Sequence, residues 1–257
     1  MATTSGSSVA APRTRSMRLL HRLSTVLIVL GLAICAYAAV TYLWKDPLTD
    51  LYAHYRQHQL AGSFERELRR FAPKRPAVAP ALAAPAAGPS QSERRRGDRR
   101  RLRGLAQRFS AELSDGQPFG RLEIPRMGLS VISVQGTSWT GDLSQGPGHY
   151  ANTPVPGTGA SVAIAGHRTT FGAWFRHIDW LRRGDPIVLQ MPYATFRYRV
   201  EGHRVVASDD WSIIRPAGYE RLVLSACHPL YSASHRWIVF ARAVSVRLRD
   251  GTMLRYG

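Results

Sequence analysis

The chain has 257 residues, of which 44% are hydrophobic and 20% charged, and a formal net charge of +18 at neutral pH. That length leaves room for one domain of ordinary size plus appendages, and the apolar fraction is that of a folded protein, which excludes a wholly disordered chain. The charge is uneven, with 19 Arg and Lys against 8 Asp and Glu over residues 1–117 and 16 against 9 over 118–257, so it need not describe the surface of the folded part.

Residues 1–22 read as a cytoplasmic tail, small and polar at first and basic from Arg13 on. From Leu23 to Trp44 there are 22 residues without a charge. As a helix they would be about 33 Å long, enough to cross a bilayer. Arg13, Arg15, Arg18 and Arg22 precede this run and Lys45, Asp46 and Asp50 follow it. The positive-inside rule therefore predicts a single-pass span over 23–44 with the N-terminus cytoplasmic and the remainder outside the cell. A cleaved signal peptide is the competing reading, because Ala36-Tyr37-Ala38 has the small-x-small form of a cleavage site, but the apolar run is too long and continues past it. A lipoprotein anchor at Cys35 is disfavoured by bulky Ile34 before it.

Residues 45–71 have helical spacing in places (Leu51, Tyr55, Leu60, Phe64, Leu68), which predicts a juxtamembrane helix. Residues 72–117 are read as a linker. Its first part, Pro73 to Pro89, is Ala- and Pro-rich and would reach about 50 Å if fully extended. Its second carries the basic run Arg94 to Arg103. No aromatic residues are interleaved there and the expected topology puts it outside the cell, so nucleic acid is not the expected partner; a solvated basic segment is.

From Pro118 the texture changes to short apolar runs broken by Gly and Pro. Strands are expected at Gly120 to Ile124, Leu129 to Gln135, Ser161 to Ala165, Pro186 to Met191, Phe196 to Ala207, Leu222 to Cys227 and Trp237 to Leu248, with a short helix over Phe171 to Leu181. So many strands in so short a stretch predict an all-β domain, a closed or nearly closed β-barrel over 118–257.

The chemistry concentrates near the end. Leu222, Val223 and Leu224 are apolar on both sides, as in a strand covered on both faces, and His228-Pro229 ends it, so Cys227 sits at a strand tip. The next strand begins after a polar turn with Arg236 at its entry. If consecutive strands pair, Cys227 and Arg236 share one end. A cation beside a thiol favours the thiolate, which makes Cys227 a candidate nucleophile rather than an inert buried cysteine. Three histidines compete as its proton partner: His167, at the end of the Ser161 strand; His228, adjacent but facing the other side; and His235, in a turn. Arg236 leads as the group to hold an oxyanion, with Arg168 and Arg242 behind it. Neither His-Glu-x-x-His nor paired cysteines occur, and the Gly-rich turns at 146–148 and 157–159 precede no helix, so neither a metal nor a nucleotide cofactor is expected.

Leu222 to Cys227 with His228-Pro229 resembles the Thr-Leu-x-Thr-Cys signature of sortases, and Arg236 falls where that family's arginine follows its cysteine. Gly120-Arg-Leu-Glu-Ile-Pro125, Gly146-Pro-Gly-His-Tyr150 and Val162 to Thr170, with Ala165-Gly166-His167-Arg168 as the histidine segment, bring the resemblance closest to class E sortases of actinobacteria. Leu224-Ser225-Ala226 departs from it where threonines are usual. Ser225 keeps a hydroxyl and Ala226 does not. The resemblance implies an eight-stranded β-barrel and a membrane-anchored cysteine transpeptidase facing the cell wall. Cys227 would attack the Thr-Gly bond of a Leu-Pro-x-Thr-Gly or Leu-Ala-x-Thr-Gly sorting signal at the C-terminus of a secreted protein, and His167 would protonate the leaving amine. An amine of a wall precursor or a pilin would then resolve the thioester. An L,D-transpeptidase is the alternative from the same compartment, but Ser225-Ala226-Cys227 lacks the histidine of its short Ser-His-Gly-Cys segment. A non-catalytic wall-binding domain would have no use for the intact Cys, His and Arg set.

Overall fold

The structure, a computed structural model, describes residues 14–43, 46–72, 90–139 and 141–256; the expected N-terminal tail to residue 13 and the Pro/Ala spacer over 73–89 lie outside them. Two compact units emerge, Met1–Trp44 and Lys45–Gly257.

The first is one helix, α1 (Thr14–Leu43). Its stretch Met17–Thr41 reaches a mean hydropathy of 2.4, is long and apolar enough to cross a membrane, and buries none of that surface against protein. A helix that is apolar all round and uncovered by protein finds its partner in lipid.

The second unit is built on strands β1 (Pro118–Ile124), β2 (Leu129–Gln135), β3 (Gly148–His149), β4 (Ser161–Gly166), β5 (Pro186–Gln190), β6 (Ala194–Ala207), β7 (Arg221–His228), β8 (His235–Leu248) and β9 (Met253–Arg255). Their order is β6-β5-β1-β2-β3-β4-β7-β8, and the pairing of β6 with β8 closes the ring, so the expected eight-stranded barrel is present, with β9 as an extra edge on β8. All seven strands expected from the sequence are among the nine found in the described residues. The two unforeseen ones are very short, and β3 is wedged between β2, which it pairs in parallel, and β4, which it pairs antiparallel. Gly148 is needed for that approach, since a Cβ there would strike the carbonyl oxygen of Gly136.

Alternation along the strands sorts the side chains. Val162, Ile164, Leu222, Leu224, Ala226, Val239 and Ala241 belong to the barrel core, whereas Ala163, Val223 and Ile238 form an outer cluster covered by Val206 and Ile213. Both faces of β7 are thus apolar and covered, as its sequence required.

Two helices pack on the barrel. In α2 (Pro47–Arg70), Asp46 caps the N-terminus and Leu60, Phe64 and Leu68, four residues apart, pack on Ile132 and Val134 of β2. The Gln57 amide straddles the same strand, accepting from Ile132 N at 2.7 Å and donating to Ile132 O at 2.8 Å. The basic run expected as solvated linker is instead a helix, α3 (Gln91–Glu112), opened by a capping box between Ser90 and Glu93. Its arginines face solvent while Leu102, Ala106 and Phe109, at helical spacing, enter the barrel core. Phe109 meets Phe71 and Tyr193 at ring separations of 5.8 and 5.6 Å. The helix expected over Phe171 to Leu181 is replaced by two 3₁₀ turns, Phe171–Ala173 and Ile178–Trp180, because three consecutive residues take left-handed φ: Phe171 (47°), Gly172 (80°) and Ala173 (45°). No α-helix propagates through such a segment.

Candidate active site

Strand register assembles the candidate residues. On the antiparallel pair β7–β8, Cys227 lies opposite Arg236. On the parallel pair β4–β7, Ala165 lies opposite Ser225 and Gly166 opposite Ala226, so His167, the next residue, continues in line with Cys227. Parity fixes the face. Counting in steps of two from the outer-cluster residues Ala163, Val223 and Ile238 arrives at His167, Cys227 and Arg236. All three therefore belong to the outer face at one end of the barrel. His228 and His235 pair with each other on the opposite face. There His228 lies 5.4 Å from the ring of Trp237, and Nδ1 of exposed His235 lies 3.0 Å from Ser234 Oγ.

The imidazole of His167 is buried between two aromatic rings, with Trp139 edge-on at 4.5 Å and Phe171 at 5.4 Å. Its Nε2 has no hydrogen-bond partner in the protein. Burial lowers its pKa to about 4, against which a hydrogen bond to the Trp139 backbone works weakly, so the ring is neutral at neutral pH. Gly166 permits this geometry: a Cβ would run into the ring of Phe175, which packs under the strand end. Phe175 N in turn donates to His167 O at 2.9 Å. The following segment carries non-glycine residues at positive φ, a conformation costing roughly 1–3 kcal/mol each that persists only where surrounding contacts enforce it.

The three arginines separate cleanly. Arg168, only 3% exposed, gives Nε and Nη2 to the Arg176 carbonyl at 3.2 and 3.1 Å, pairs with Asp179 at 3.1 Å and reaches the Cys227 carbonyl at 3.4 Å. Its donors are committed to backbone and a carboxylate, so it ties the His167 loop to the β7 tip. Arg242 lies opposite Arg221, six residues along β8 from Arg236, bonded to Glu201 at 2.8 Å over the Tyr219 ring. That is about 20 Å along an extended strand, too far to serve Cys227. Arg236 remains, its Nη1 donating to the carbonyls of Ala233 in the preceding turn and His235 at the start of β8, at 2.8 and 3.0 Å.

Cys227 is half-buried and free. One step back on the same face, buried Ser225 receives a hydrogen bond from Tyr150 Oη at 3.4 Å, whereas Ala226 points into the core, where the missing hydroxyl leaves a methyl among apolar neighbours. Trp139, Tyr150 and Phe171 frame the site and were not singled out from the sequence. Only Tyr150 carried a signal, as the last residue of the Gly146 to Tyr150 segment. Among the described residues no cluster of three or more His, Cys, Asp or Glu side chains could hold a metal ion. The arrangement supplies a thiol, an imidazole and a guanidinium around one open strand tip, the parts needed for acyl transfer through a covalent intermediate.

The profile of the sortase domain matches residues 122–244. Sortase D of Bacillus subtilis is 34% identical over 134 residues, 51% of this chain and 66% of its own. Sortase SrtE1 of Streptomyces coelicolor is 32% identical over 158 residues, 56% of this chain and 45% of its own. The chain thus spans between about half and two thirds of these relatives' lengths. Among solved structures, that of sortase E1 from Streptomyces coelicolor with a tripeptide in the active site is 30% identical, with a TM-score of 0.50, covering 54% of this chain and 94% of that one.

Proposed function

Because this chain belongs to the sortase family, whose members are cysteine transpeptidases, we propose that it cleaves a C-terminal sorting signal of the Leu-Pro/Ala-x-Thr-Gly type and transfers the protein to an amine. The observation that carries the reading is the common face of His167, Cys227 and Arg236 at the ends of three adjacent strands. In this reading the Cys227 thiol gives its proton to His167 and the sulfur attacks the threonine carbonyl carbon. The Arg236 guanidinium leaves its two carbonyl partners to bond the oxyanion. Collapse of the tetrahedral intermediate breaks the Thr-Gly bond, and the His167 imidazolium protonates the departing glycine amine, leaving a thioester on Cys227. An amine of a wall precursor or a pilin then attacks, passes its proton to His167 and restores the thiol.

The low basicity of His167 bears on the rate. An imidazole whose pKa burial lowers to about 4 is a weak base toward the Cys227 thiol. Only a minority of molecules then holds the reactive ion pair, but the imidazolium, once formed, is a strong acid toward the leaving amine. Slow turnover is tolerable for an enzyme held beside its substrates. We place the active unit outside the cell, anchored by α1 with its N-terminus in the cytoplasm.

The test is to incubate the full chain with a panel of sorting peptides and identify the acyl-enzyme by mass spectrometry. An adduct on Cys227 is expected with at least one peptide, and none with Cys227→Ala. Arg236→Ala should acylate about a hundred- to thousandfold more slowly, the loss typical of an oxyanion donor, and Arg236→Lys should also be impaired because a point charge does not copy the planar fork. Arg242→Ala should stay within tenfold of wild type. An adduct on another residue, or Arg236→Ala acylating like wild type, overturns the assignment.

A further inference from the structure

The loop after His167 does not support itself. Phe171, Gly172 and Ala173 all sit at left-handed φ, and the Phe171 ring forms one wall of the His167 pocket. The contacts that enforce this conformation come from the first turns of α2, more than a hundred residues earlier in the chain. Thr49 Oγ1 accepts a hydrogen bond from Phe171 N at 2.9 Å while donating to Asp46 O at 3.3 Å. Asp46 N donates to Thr169 O at 3.5 Å. The Tyr52 ring meets Phe171 edge-on at 6.4 Å, and His54 lies 5.0 Å from Trp174. Backbone, hydroxyl and aromatic contacts thus converge on one six-residue loop from one helix end.

We propose that the N-terminal turns of α2 are a brace for the catalytic histidine, with Thr49 as a positioning residue that fixes Phe171 against His167. The roles of His167 and Cys227 rest on the reading above; the brace itself rests on the contacts. A hydrogen bond that satisfies the amide of a residue at positive φ selects that conformation over the relaxed ones the segment would otherwise adopt. Loosening it lets the Phe171 ring leave and water reach the imidazole. The barrel strands alone would then hold Cys227 and Arg236 in register but not the histidine in its pocket, so the segment next to the membrane span is part of the active site's support rather than a spacer.

The experiment uses the full chain in a Cys35→Ser background, so that Cys227 is the sole thiol. Alkylation of Cys227 by iodoacetamide is followed against pH, alongside single-turnover acylation by the best sorting peptide. Thr49→Val keeps the shape and removes the acceptor; Thr49→Ser restores it; Tyr52→Ala removes the aromatic contact from an exposed position; His58→Gln, exposed on the same helix, is the control. Thr49→Val and Tyr52→Ala should lower the acylation rate about three- to tenfold, the worth of one net hydrogen bond or comparable contact. They should also move the acidic limb of the alkylation profile to higher pH as His167 regains ordinary hydration, with Thr49→Ser and His58→Gln matching wild type. A general loss of packing would lower Tm without moving that limb. Should Thr49→Val melt below the assay temperature, Tyr52→Ala decides. Folded variants that keep both the wild-type profile and the wild-type rate overturn the brace. If no sorting peptide acylates wild type, yet Thr49→Val shifts the alkylation profile and Thr49→Ser restores it, the substrate reading fails and the brace stands.

Discussion

Three buried titratable groups make the stability of the barrel unit depend on pH in opposing directions. His149 and His167 both have pKa values lowered to about 4 by burial, so between about pH 4 and 6.5 the unfolded chain binds more protons than the folded one and stability falls on acidification. Glu220 runs the other way. Its carboxylate, 2% exposed, accepts from Gly157 N at 2.9 Å and Gly159 N at 2.8 Å, yet burial still raises its pKa to about 7. Between about pH 4.5 and 7 the folded state holds its proton more tightly, and stability falls as pH rises, by something on the order of 3 kcal/mol in all. In wild type the two trends partly offset each other. Glu220→Gln removes one and leaves the other. The variant's Tm should therefore rise more steeply than that of wild type between pH 4.5 and 7, whatever its absolute level after one Gly N–H loses its acceptor. Parallel Tm profiles would show that Glu220 does not titrate in this window.

At the scale of elements, the barrel strands were legible because their signal is local. The apolar run at Leu222 to Leu224 says that both faces of that strand are covered without knowing by what. β8 starts two residues earlier than its apolar pattern, at His235, because pairing with β7 recruits Arg236 into the ladder. The two-residue β3 left no pattern, since its neighbours alone make it a strand. α2 showed itself through Leu60, Phe64 and Leu68; its hold on the His167 loop did not, because nothing in Thr49 points to residue 171. α3 is the instructive case. Its arginines drew attention to charge, although Ser90 and Glu93 already formed a capping-box pattern and Leu102, Ala106 and Phe109 had helical spacing. Its arginines occupy the solvent face, and three apolar residues suffice to dock the other. The prediction is that Phe109→Ala, which empties a site shared by Phe71, Phe119 and Tyr193, destabilises the unit by about 3–5 kcal/mol in denaturant melts. A loss below about 1 kcal/mol would mean that α3 adds little to the core and behaves as a solvated linker.

For the whole molecule, the decisive contrast is between a unit whose core is internal and one that has none. α1 exposes its large apolar side chains on every face, Leu23, Leu27 and Leu30 among them, so in water it would leave uncovered the surface that folding exists to bury. Thirty residues of helix measure about 45 Å, more than the roughly 30 Å of a hydrocarbon core. The excess falls at the N-terminal end, where Arg18 and Arg22 lie before the uncharged run, with Arg13 and Arg15 preceding them in the sequence. By the positive-inside rule this basic end is the one predicted to stay in the cytoplasm, which is the orientation proposed above. In intact cells, added protease should therefore destroy a C-terminal epitope while sparing an N-terminal one, and alkaline carbonate should not strip the protein from membranes. The reverse protection pattern would invert the orientation and remove the active unit from the wall. Amino-terminal sequencing that finds a mature chain starting just after Ala38 would replace the anchor with a cleaved signal, and the barrel with its α2 brace would then leave the membrane altogether.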